Sequence, residues 1–181
     1  MNYNYIFDLL PYKSTFRFVD EISFLDPDKV IGHYTLKKDA FFYEDHFVGN
    51  PVTPGAILTE IMAQIGLVVL GIYLVASPAG ATASSSGAAT STAATGNLAA
   101  GSASPAAAAG LTPNPAILVP LFTSIDVSFH KMALPGQKVT VISRKDYFRF
   151  DKLKCHVELQ DEAGELIAKG IFSGMIKKIV K

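Results

Sequence analysis

A histidine and a glutamate fourteen residues apart, His46 and Glu60, flank what reads as a helix start. The pair suits proton transfer. An imidazole takes a proton near neutrality, and a carboxyl group shielded from water can give one. Glu60 sits in an otherwise apolar run, where a lone carboxylate is costly unless it is used or paired. No Lys or Arg occurs between Ala40 and Thr112 to pair with it locally. Thr53 reads as the N-cap and Pro54 as the first helical residue. That assigns the Ala56 amide to the Thr53 hydroxyl and leaves the Gly55 amide free at the positive end of the helix dipole. Gly55 has no side chain, so a substrate carbonyl can come close to that amide. Gln64 follows Glu60 by one turn on the same face. A base, an acid and a bare backbone donor are thereby expected in one place.

The elements that must position them follow from the pattern. Tyr5 to Leu10 reads as one or two helical turns ended by Pro11. Phe16 to Leu25 reads as a strand, Asp26-Pro27-Asp28 as a turn and Val30 to Leu36 as the returning strand. Phe41-Phe42-Tyr43 is an aromatic cluster just before His46, read as core or as the wall of a substrate tunnel. From Gly55 to about Val75 the pattern predicts one helix about 30 Å long, apolar nearly all round and therefore buried. Gly66 and Gly71 each cost ~1 kcal/mol of helix propensity against Ala, which points to close packing of the helix on a sheet. The remainder reads as β: Ile117 to Phe129, interrupted near Pro120, then Lys138 to Phe150, then Leu153 to Gln160 with clean alternation, a turn at Asp161 to Gly164, and Glu165 to Ile176. Antiparallel strands around one buried helix make an α+β single domain over residues 1–181.

Composition narrows the function. The chain has 181 residues, 49% of them apolar, and 16 basic against 16 acidic side chains. A balanced charge gives no argument for nucleic acid. Cys155 is the only cysteine, so no intrachain disulfide or cysteine metal framework is expected, in keeping with a reducing, cytoplasmic setting. No basic-then-apolar start resembles a signal peptide. The apolar run Ile61 to Ala76, broken by Gln64, is shorter than the ~18 to 20 residues of a membrane span, so no span is expected. Residues 77–115 are a low-complexity insertion dominated by Ala, Ser, Gly and Thr, read as a linker without chemistry. His33, His130 and His156 stand in no constellation, and no nucleotide fingerprint or metal-ligand spacing is present.

The run His46-Phe47-Val48-Gly49-Asn50-Pro51-Val52-Thr53-Pro54-Gly55, with Glu60 and Met62-Ala63-Gln64, resembles the signature of the beta-hydroxyacyl-acyl-carrier-protein dehydratases of hotdog fold. That signature reads His-Phe-Pro-Gly-Asn-Pro-Val-x-Pro-Gly, then a helix holding Glu and Met-Ala-Gln; Val48 stands where Pro is usual. Weaker echoes are Leu10-Pro11 with Val19-Asp20, where Tyr12-Lys13 and Thr15 replace His-Arg and Pro, and Phe129, Lys131 and Pro135-Gly136. The resemblance implies a hotdog sheet wrapped around the helix and the dehydration of a (3R)-hydroxyacyl thioester to a trans-2-enoyl thioester, in fatty-acid or related synthesis. It implies His46 and Glu60 as catalytic residues, a substrate contact at the Gly55 amide, the Val52 carbonyl orienting the histidine, and no cofactor. Gln64 is assigned to substrate binding, or to a neighbouring backbone group. An acyl carrier protein would present the substrate, and a homodimer would share its sites, His46 from one subunit and Glu60 from the other. Two other readings stand beside it, a hotdog thioesterase and a non-catalytic acyl-binding partner of an active paralogue. Between Lys131 and Lys154, seven cations face only Asp146 and Asp151, which reads either as a docking patch for an acidic carrier or as a solvated strand face.

Overall fold

A computed structural model of the protein describes residues 3–76 and 116–180. The low-complexity insertion at 77–115 lies outside the described residues.

Helix α1 (Asn4–Leu9) leads into a six-stranded sheet: β1 (Glu21–Leu25), β2 (Lys29–Thr35), β3 (Ala116–Phe129), β4 (Lys138–Arg149), β5 (Lys152–Gln160) and β6 (Leu166–Val180). The spatial order is β1-β2-β4-β5-β6-β3, every neighbouring pair antiparallel, so β1 and β3 are the edges. A one-turn 3-10 helix, Phe41–Tyr43, and the central helix α2 (Gly55–Ala76) sit between β2 and β3. This is the α+β arrangement expected from the alternation. Strand β5 shows why: Leu153, Cys155, Val157 and Leu159 are buried, and Lys154, His156 and Glu158 alternate with them.

Helix α2 is α-helical over Gly55–Ala63, π-helical over Gln64–Val69 and α-helical again over Leu70–Ala76. Every residue from Ile61 to Ile72 is buried. The helix has the length and hydropathy to cross a membrane, longer than the apolar run alone suggested, yet 78% of its most apolar window is buried against the sheet. Such a helix serves as a core. The two glycines mark where it touches. A Cβ at Gly66 would stand 2.9 Å from the Val157 methyls, and one at Gly71 would stand 2.7 Å from Ile176. Those gaps are too small for a methyl group, so glycine sets the approach of helix to sheet.

Two of the differences from the sequence reading have a clear physical cause. The strand expected from Phe16 begins only at Glu21. The Phe18 amide donates to Gln64 Oε1 at 2.8 Å, and Gln64 Nε2 donates to the Phe16 carbonyl at 2.9 Å. A side-chain amide from α2 thus takes the place of a neighbouring strand. Strand β3 runs through Pro120 without a break, with Pro120 opposite Ile176 and the irregularity between Phe122 and Ser124. An edge strand has a free side, where the missing proline N–H leaves no ladder position empty.

Candidate active site

The loop Glu44–Val52 carries His46 from the 3-10 turn to the start of α2. His46 Nδ1 lies 2.8 Å from the Val52 carbonyl oxygen. A carbonyl only accepts, so Nδ1 carries the hydrogen, and Nε2 of the neutral ring keeps its lone pair. The ring is edge-on to Phe47, with centroids 4.5 Å apart. Helix α2 begins at Gly55 behind Pro54 and has no side-chain cap. The N-cap expected at Thr53 is not formed. Its hydroxyl instead meets the Tyr43 hydroxyl at 2.6 Å, and its amide donates to Ala133 at 2.8 Å. The first-turn amides of α2 therefore lack a side-chain acceptor, which leaves the Gly55 end open to an incoming carbonyl or anion.

His46, Val52, Gly55 and Leu58 line one open hollow of about 250 Å³, together with Phe129 and Met132. Phe129 lies across Gly55, its ring edge 3.1 Å from where a Cβ would project, and half of its own surface is exposed. A larger, open hollow of about 270 Å³ on the outer face of β5, β6 and β3, beside Asp126, His156 and Lys169, contains neither His46 nor Glu60.

Glu60 stands elsewhere. Five residues along an α-helix turn the side chain by about 140° and move it about 7.5 Å, so Glu60 leaves the face that Gly55 presents to the hollow. Its Oε1 accepts from Gln64 Nε2 at 2.8 Å. Burial raises the Glu60 pKa above the ordinary carboxylate value, and the Gln64 hydrogen bond opposes part of that rise. Gln64 is fully buried, and its carboxamide is engaged by Phe16, Phe18 and Glu60. It anchors the acid and ties it to the N-terminal segment rather than facing a hollow. Tyr12, noted in the sequence only as a departure from His-Arg, also belongs here. Burial first and the Glu60 charge second push its phenol well up. One chain therefore holds two candidate half-sites, His46 with Val52 and Gly55, and Glu60 with Gln64 and Tyr12.

The raised carboxyl predicts a stability change of known sign. A carboxyl whose folded pKa lies above its unfolded value favours the fold when protonated, and that contribution is lost as pH rises through the folded pKa. Glu60→Gln has no charge to bury. Its melting temperature is expected to exceed that of the parent protein at pH 8, with the gap closing toward pH 4. Thermal melts of both proteins across that range check it; a constant gap would remove the ionisation argument.

Four of the seven cations between Lys131 and Lys154 pair with acids on other strands and turns. Lys131 pairs with Asp161 and Glu165, Lys138 with Glu21, Lys145 with Asp28 and Lys154 with Asp146. The sequence count of two opposing acids missed Asp161, Glu165, Glu21 and Asp28, which are remote in the chain. His33 likewise gained partners, Thr140 at 3.1 Å and Ser23 at 2.9 Å, a polar bridge across β1, β2 and β4.

The FabA-like domain family matches residues 10–97, a span that includes His46, Glu60 and Gln64. Curated relatives include proteins named as dehydratases. A bifunctional LpxC/FabZ enzyme of Porphyromonas gingivalis is 41% identical over 66 residues, 36% of this chain and 14% of that protein. The 3-hydroxyacyl-[acyl-carrier-protein] dehydratases FabZ of Desulfotalea psychrophila and Clostridium perfringens are 39% and 33% identical, covering 35% and 39% of this chain and 43% and 50% of theirs. Over these residues the chain is similar to the FabA-like domain family and to FabZ dehydratases. It spans half or less of the length of these relatives. The fold of the chain is the hotdog fold. The Streptococcus mutans protein smu.793, solved bound to acetyl CoA, superposes with a TM-score of 0.56 at 11% identity, covering 95% of this chain and 98% of that one. AziG of S. sahachiroi gives 0.53 at 12% identity over 88% and 91% of the two chains. A mutant hypothetical thioesterase of Streptococcus pneumoniae gives 0.53 at 11% over 88% and 90%. At such identities these likenesses speak for the fold alone.

Proposed function

We propose that this protein dehydrates a (3R)-hydroxyacyl thioester to the trans-2-enoyl thioester, and that the 2.8 Å contact from His46 Nδ1 to the Val52 carbonyl carries the assignment. That contact leaves Nε2 as a base beside the bare start of α2. Nε2 takes the proton from the carbon next to the thioester carbonyl. The Gly55 amide donates to that carbonyl as negative charge gathers on its oxygen. The carbon–oxygen bond at the β position then breaks, and Glu60 supplies the proton with which the hydroxyl leaves as water. The raised pKa of Glu60 favours the protonated carboxyl that this step needs. Gln64 holds Glu60 in place. Solvent returns the proton from His46 to Glu60, and no cofactor takes part.

The substrate's carrier in this reading is an acyl carrier protein, as in the names of the FabZ relatives. The working form is a homodimer. Edge strand β3 exposes Leu121, Phe122, Ile125 and Phe129, an apolar edge that a second copy would cover. The chain is one hotdog domain in which residues 77–115 are an insertion without chemistry.

The test is an assay on the purified protein that follows enoyl-thioester absorbance and free thiol together. Enoyl product without thiol release is the expected result. Thiol release without enoyl product would replace dehydration by thioesterase chemistry, and neither product would leave an acyl-binding role.

A further inference from the structure

The loop that holds His46 is closed by a pair of buried hydroxyls. Tyr43 ends the 3-10 turn, Thr53 precedes α2, and their oxygens meet at 2.6 Å across the nine residues Glu44–Val52. Both residues are buried, Thr53 to 3% exposure. The peptide unit joining Val52 to Thr53 is held from both sides. Its carbonyl accepts from His46 Nδ1 at 2.8 Å, and its N–H donates to the Ala133 carbonyl at 2.8 Å. A rotation of that plane would carry the imidazole with it.

The loop between the anchors is mostly exposed and carries an internal backbone bond, from the Asn50 N–H to the Phe47 carbonyl at 2.9 Å. Phe47, Val48, Gly49, Asn50 and Pro51 are exposed. Phe47 has φ 55, a left-handed conformation that is an outlier for a bulky residue and costs on the order of 1 kcal/mol. Such a conformation persists only where its surroundings hold it. Burial raises the Tyr43 pKa above its ordinary value, so the phenol stays protonated, and either hydroxyl can donate within the pair. A buried hydroxyl left without its partner loses the hydrogen bond and keeps the desolvation cost.

We propose that the Tyr43–Thr53 hydroxyl pair is the positioning element for His46: by pinning the Val52–Thr53 peptide plane, it aims Nε2 into the hollow beside Gly55. This rests on the reading of His46 as the base. Neither residue touches the reacting atoms in that reading; each acts through the Val52 carbonyl.

The experiment has two readouts. The first is the tautomer of His46, read from ring nitrogen chemical shifts in protein carrying labelled histidine, at a pH where the ring is neutral. The second is steady-state dehydration. The parent protein is expected to hold His46 as the Nδ1–H tautomer. Tyr43→Phe and Thr53→Val are each expected to mix in the other tautomer and to lower kcat by about 10-fold, with KM changed less than about twofold. Thr53→Ser restores the hydroxyl and is expected to recover both readouts. The double variant Tyr43→Phe/Thr53→Val removes the same bond as either single change and is expected to be no worse than the poorer of them. A Tyr43→Phe protein that keeps the parent tautomer and kcat would overturn the proposal. So would losses in the two single variants that multiply in the double, because the hydroxyls would then act separately. A tautomer shift in a protein that never dehydrates would uphold the positioning role while refuting the dehydratase reading.

Discussion

His46→Ala and Glu60→Gln are each expected to lower dehydration turnover by about 10² to 10⁴-fold, the usual worth of one positioned acid or base. The two losses have different origins. Alanine at 46 removes the nitrogen that accepts the carbon-bound proton and leaves the Val52 carbonyl without its donor. Glutamine at 60 keeps the shape and can still accept from Gln64, but it has no proton of suitable acidity for the departing hydroxyl. Glu60→Gln is therefore expected to bind substrate nearly as well as the parent, with the loss in kcat. Near-parental turnover in either variant, with the fold verified by its melt, would refute the role of that residue.

The candidate site was legible because it is local. His46, Val52, Gly55 and Glu60 lie within fifteen residues, and a loop followed by a helix start fixes their order in space. Helix α2 was legible for a similar reason, since a run apolar on all sides has only the core to occupy. The misreadings arose where a distant side chain replaced a local partner. Thr53 has the side chain of an N-cap, but Tyr43 lies close enough to take its hydroxyl. Phe16 to Asp20 has strand composition, but the Gln64 carboxamide meets its backbone where a strand would. The row of cations seemed to face only Asp146 and Asp151, because Asp28, Asp161 and Glu165 are brought to it by the sheet and not by the chain order. Side-chain amides and hydroxyls carry no periodicity, so a pattern of apolar residues is blind to them.

The separation of the two half-sites leads to the second large effect, recovery of activity from two inactive proteins. Within one chain His46 opens into the hollow beside Gly55, and Glu60 projects from α2 by about 140° around its axis. A two-fold axis at the exposed β3 edge would repeat both half-sites on the partner, so that each histidine could meet the other chain's glutamate. Mix His46→Ala with Glu60→Gln, unfold and refold them together, and half of the dimers become hybrids. In a hybrid, one site lacks both groups. The other site receives His46 from the Glu60→Gln chain and Glu60 from the His46→Ala chain, and is intact. Activity is expected to return to about a quarter of the parental value, since half the dimers carry one working site of two. Each variant refolded alone should stay inactive. Hybrids confirmed by native mass spectrometry that remain inactive would place both groups in one chain's site and defeat the shared arrangement, whatever the single substitutions show.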